Sequence, residues 1–102
     1  MKCFDTAGNQ SEWQVLGGSS RSQAAVMTLP AGENTGGPDN THEDSDQWLY
    51  VVRGAGEAVV DKQPVELSAG SLLLIEAGEA HEIRNTGDQP LVTVNVYAPP
   101  EY

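Results

Sequence analysis

The apolar segments of this chain are all short, and Gly, Pro, Asn or Asp interrupts them at close intervals. That spacing is near the roughly 8–12 residues expected of an all-β sandwich or barrel, and no segment carries a long helical period. Strands rich in Val and Leu are expected near Trp13–Leu16, Gln23–Leu29, Gln47–Arg53, Gly56–Val60, Val65–Leu67, Ser71–Ile75, His81–Asn85 and Leu91–Tyr97. Eight short strands imply two packed sheets. The run Gln47–Arg53 is apolar on both alternating faces through its middle, which predicts a central strand covered on both sides. Asp61-Lys62-Gln63-Pro64 predicts a tight reversal, because Asp tolerates turn geometry and Pro64 cannot donate to a ladder. The segment from Pro30 to Asn40 is the most turn-rich and reads as a surface loop. Gly17-Gly18-Ser19-Ser20 separates the first two strands, and Pro99-Pro100 stops the last.

The 102 residues suffice for one compact domain spanning 1–102 and not for two. Fifteen acidic against five basic residues give a formal charge of -10, which argues against nucleic acid and anionic membrane as partners. No apolar run approaches the roughly 20 residues of a bilayer span, and the residues after Met1 lack a signal-peptide core. Cys3 is the single cysteine, in an expected frayed terminus, so no internal disulfide or Cys-based zinc knuckle can form. A cytoplasmic protein is the expectation.

The chain has two histidines, His42 and His81. Four residues separate His42 from Gln47, and six separate Gln47 from Gly54. Five separate Gly70 from Glu76, which Ala77 and Gly78 follow; two residues then lead to His81 and three more to Asn85. These spacings resemble the paired motifs of the cupin superfamily, the first over about residues 34–54 and the second over about 70–85. Gly70, Gly78, His81 and Asn85 match the second motif, with Glu76 where the family has proline. In the first, Gln47 falls at the family's glutamate, His42 at its second histidine, Asn40 at its first and Asn34 at the leading glycine.

The resemblance implies an all-β, double-stranded β-helix (jelly-roll) cupin barrel, in agreement with the strand count. It also implies a lumenal site at Asn40, His42, Gln47 and His81. Residues two apart on a strand share a face, so Asn40 and His42 are placed together. In the family these positions are three histidines and a glutamate around iron, manganese, nickel, copper or zinc. Here two histidines remain and amides replace the other two ligands, which weakens compensation of a divalent charge. Asp44 or Asp46 could restore that charge, although with Glu43 they read first as a solvated acidic loop.

Three functions stay open: a divalent-metal site serving a metal-dependent enzyme on a small organic molecule, a metal-free small-molecule-binding cupin, and a sugar isomerase or epimerase-like cupin. The scarcity of Lys and Arg, with Arg53 and Arg84 the only arginines on expected strands, argues against a phosphorylated substrate. Glu57 is expected to serve a hairpin. Trp48, Tyr50 and Val52 alternate with Gln47 and are expected on the outer face, buried in a homodimer or covered by the strand around Trp13.

Overall fold

The computed structural model describes residues 1–36 and 41–102. Eight strands follow in order: β1 (Gln14–Gly18), β2 (Gln23–Leu29), β3 (Asp46–Arg53), β4 (Ala55–Val60), β5 (Gln63–Ser68), β6 (Leu72–Ile75), β7 (His81–Arg84) and β8 (Leu91–Ala98). They form a five-stranded sheet of order β1-β2-β8-β3-β6 and a three-stranded sheet of order β5-β4-β7, antiparallel throughout. This is the expected jelly roll. Alternation sets the core: Met27, Leu29, Leu49, Val51, Ala58, Leu67, Ile75, Ile83 and Leu91 are buried together. Each large side chain so buried stabilises the fold by about 1.5–3 kcal/mol before entropic costs.

The chain crosses between sheets at Gly54, where φ is 95° and an added Cβ would lie 2.5 Å from the Pro90 carbonyl oxygen. Only glycine fits that corner. The β4–β5 hairpin turns on Asp61 and Lys62 alone, both at positive φ (46° and 68°). The expected four-residue reversal is therefore shorter, because the two-residue turn twists as its strands do. Gln63 and Pro64 already belong to β5, and Pro64 is accommodated there because β5 is an edge strand.

β3 lies between β8 and β6, as a central strand should, but it is covered on one face only. Gln47, Leu49 and Val51 are buried, whereas Trp48, Tyr50 and Val52 are 43–45% exposed. The expectation of cover on both faces fails because, among the described residues, no second layer packs over Trp48 and Tyr50. The N-terminal segment does not supply one over Trp48 and Tyr50: Phe4 to Asn9 lie beside Val26, Val52, Val92 and Val94, and Trp13 turns toward the barrel mouth. The first half of the turn-rich segment is anchored, since Asn34 bridges Arg84 and Ile83 N–H donates to Thr35 Oγ1 at 3.0 Å. No described helix is long and apolar enough to cross a membrane.

Candidate functional site

A cavity of about 460 Å³ opens at one end of the barrel, and His42, Gln47 and His81 all line it. Asn40 lies outside the described residues. His42 precedes β3, Gln47 is on β3 and His81 opens β7, so three separate segments supply the cluster. The two imidazole centroids are 4.8 Å apart. The loop of the second motif is tied to the first by Gly78 N–H, which donates to the His42 carbonyl at 2.8 Å.

Both rings are oriented by acceptors. His42 Nδ1 lies 3.1 Å from Glu101 Oε1, and His81 Nδ1 lies 3.2 Å from the Glu79 carbonyl oxygen. A carboxylate or carbonyl oxygen can only accept, so the neutral rings carry their proton on Nδ1 and keep the Nε2 lone pair free. Burial is the main cause that pushes His81 below the ordinary histidine range; the neighbouring His42 adds to it, and the Glu79 hydrogen bond opposes it.

The Gln47 amide is oriented by a chain of hydrogen bonds that starts from the backbone. Thr93 Oγ1 donates to the Met27 carbonyl at 3.1 Å, so its oxygen accepts from Asn95 Nδ2 at 3.0 Å. Asn95 Oδ1 then accepts from Gln47 Nε2 at 3.0 Å, leaving Gln47 Oε1 buried with no hydrogen-bond partner. Two imidazoles and one amide with an unsatisfied oxygen thus line the same cavity, and an unpartnered buried acceptor carries a desolvation cost of about 1–3 kcal/mol.

Other expected participants do other things. Asp46 Oδ1 accepts from Ala77 N–H at 2.9 Å, and Glu43 and Asp44 are exposed. Asn85 is structural: its amide donates to the carbonyls of Leu29 and Gln89 and accepts from Gly87 N–H. Glu57 sits on β4 and pairs with Arg84 Nη1 at 3.4 Å, away from the cavity lining. Sequence reasoning missed Asn95 and Thr93, although β8 carries a legible signal: Leu91, Thr93, Asn95 and Tyr97 alternate with valines at 92, 94 and 96. It also missed the mouth. Trp13, Tyr97 and Tyr102 stand edge to face there with centroids 5.0–6.1 Å apart, and no local pattern marks Trp13 or Tyr102. Burial, with the adjacent Tyr102 adding to it, pushes the Tyr97 phenol well above its usual range.

The profile of the cupin domain matches residues 25–97, which contain β3 to β7 whole, most of β2 and β8, and all three described site residues. The chain belongs to the cupin family. Among cupin relatives, it is 31% identical over 86 residues to the protein YrkC of Bacillus subtilis, with 78% of this chain and 45% of that protein covered. It is 33% identical over 67 residues to the oxalate-binding protein of Thermotoga maritima, covering 66% and 54%. The chain thus spans about half the length of these curated relatives. The solved structure of the Bacillus halodurans protein BH2720 superposes with a TM-score of 0.87 at 31% identity, covering 95% of this cupin and 76% of that chain.

The lumenal donors of this cupin fit a divalent ion in kind, since imidazole nitrogen and amide oxygen both ligate such ions. They form a neutral set. Among the described residues no group of three or more His, Cys, Asp or Glu gathers for a metal.

Proposed function

We propose that this chain is a small-molecule-binding cupin whose lumen holds a divalent metal ion on His42, His81 and Gln47. The observation that carries the reading is that His42, His81 and Gln47 line one cavity, with Gln47 Oε1 buried and lacking a donor. A cation satisfies all three at once. When bound, such an ion supplies Lewis-acid polarisation of a ligand's oxygen, and zinc, copper, iron and nickel suit imidazole donors. The residues themselves position it: Glu101 and the Glu79 carbonyl hold the rings, and Asn95 holds the amide. The relationship to an oxalate-binding protein supports small-molecule binding as the use of this cavity.

The second reading, a metal-free pocket that binds its ligand through the same atoms, draws on the neutrality of the set, which lacks an anionic donor to offset a divalent charge. A sugar-phosphate substrate has less support, because no Lys or Arg is among the described residues that line the cavity. The same proposal includes a homodimer through the outer face of β3, supported by the exposed row of Trp48, Tyr50 and Val52.

Titration of metal-stripped protein with divalent ions, followed by calorimetry and by Cu²⁺ spectroscopy, tests the reading. Wild type should bind one ion, and a variant with both His42→Ala and His81→Ala should bind none while keeping its β-sheet circular dichroism. Gln47→Glu should tighten binding above about pH 7, where a glutamate is ionised. The same variant should lower the melting temperature of the metal-free protein, because it buries a carboxylate and removes the donor to Asn95. No uptake by wild type would leave the metal-free pocket as the function.

A further inference from the structure

The charged side chains that line the cavity are all of one sign. Among its described lining residues Glu12 and Glu101 are the only charged groups, with no Lys or Arg. Deeper in lie the acceptors described above. Trp13, Tyr97 and Tyr102 add an aromatic cluster to the lining, in which Trp13 and Tyr102 are the exposed members. Tyr102 is held as a wall: its N–H donates to Gln23 Oε1 at 2.8 Å, and its carbonyl accepts from Gln23 Nε2 at 2.6 Å. Trp13 stands against it at 5.0 Å with planes 64° apart. Glu101, next in the chain, is steadied by His42. Around all of this the chain carries a formal charge of -10.

Each of these features favours a positive ligand and disfavours an anion. Aromatic faces are negative at the ring centre and attract alkylammonium groups. Such groups also shed water at lower cost than compact ions, and two carboxylates supply the charge.

We infer that the mouth of this cavity binds a small organic cation of the alkylammonium class, held by Glu12, Glu101, Trp13 and Tyr102. The inference deepens the proposed function by naming the ligand class, and it rests on the lumen being a ligand pocket but not on the metal.

The test uses choline and its uncharged tert-butyl analogue, with metal-stripped protein. The chain has two tryptophans, and Trp48 lies on the outer face of β3, so Trp48→Phe leaves Trp13 as the sole reporter. Choline should change Trp13 fluorescence with a dissociation constant in or below the millimolar range, and the uncharged analogue should bind about tenfold more weakly. Glu101→Gln and Glu12→Gln keep side-chain shape and should together weaken choline about tenfold, with added salt acting in the same direction. Equal affinity for the two probes, no response to choline, or oxalate binding in preference to choline overturns the inference. Choline failing while a divalent ion binds removes this inference and spares the metal site; the reverse result removes the metal and spares the cation pocket.

Discussion

His81 is 6% exposed, and its ring faces a second imidazole 4.8 Å away. Its proton affinity in the fold lies below the unfolded value near 6.5, so below that pH the unfolded chain takes up a proton that the native ring resists. Stability of the metal-free protein therefore falls as pH drops through the region just under 6.5 and is fully restored above it. Chemical denaturation of wild type and His81→Gln between about pH 7.5 and about pH 5.5 should show a midpoint that declines in wild type and a flatter profile in the variant. Parallel profiles would mean that the ring charges freely in the folded state. This histidine was legible in the sequence, since its distance from Gly70, Gly78 and Asn85 marks it. Its burial and its lowered proton affinity were not, because they depend on which segments close over it.

At the scale of the element, β8 holds the site together. It pairs with both β2 and β3, and its inward face carries Thr93, Asn95 and Tyr97, all no more than 2% exposed. The register that places Asn95 opposite Leu49 and Tyr97 opposite Gln47 lets one strand supply both the orienting amide and an aromatic wall. Asn95→Leu removes the acceptor for Gln47 Nε2 and the donor to Thr93, leaving buried polar groups unpaired. The cost should be about 1–3 kcal/mol in urea denaturation. The variant should also weaken divalent-ion binding, since nothing then fixes which end of the Gln47 amide meets the lumen. A variant as stable as wild type with unchanged metal affinity would show that Gln47 orients itself. The two-residue turn at Asp61 and Lys62 teaches a related lesson: the sequence marks a reversal there, but the exact pairing of Val60 with Gln63 is set by the twist of the two strands.

At the scale of the molecule, one face is left uncovered. Trp48 lies opposite Leu74 and Tyr50 opposite Leu72, and with Val52 these side chains are 37–61% exposed in a continuous patch. β6 borders it as an edge strand. A patch of this kind favours a self-complementary, two-fold contact at its apolar surface. Wild type should sediment as a dimer at roughly micromolar concentration, and Trp48→Ala should weaken the association by about 2 kcal/mol or more, as loss of a buried tryptophan at an interface does. A monomeric wild type at that concentration would refute the dimer. Monomeric Trp48→Ala with an unchanged melting temperature would show that the row serves association and not folding.

The sequence by itself determined the eight strands and the fold family, because strand alternation and the fixed spacing of glycine, histidine and asparagine are local properties read along the chain, and the meeting of His42 with His81 followed from the family resemblance. It also placed Trp48 and Tyr50 on the outer face. The tertiary structure alone decided that this face stays open, that Trp13 and Tyr102 wall the mouth, and that the Gln47 oxygen is left buried without a donor. Those outcomes depend on residues far apart in the chain: Gln23 holds Tyr102, and the Met27 carbonyl sets a hydrogen-bond direction that passes through Thr93 and Asn95 to Gln47. A hydrogen bond has a donor and an acceptor end, and which end arrives at a site is fixed only when the partners meet in space.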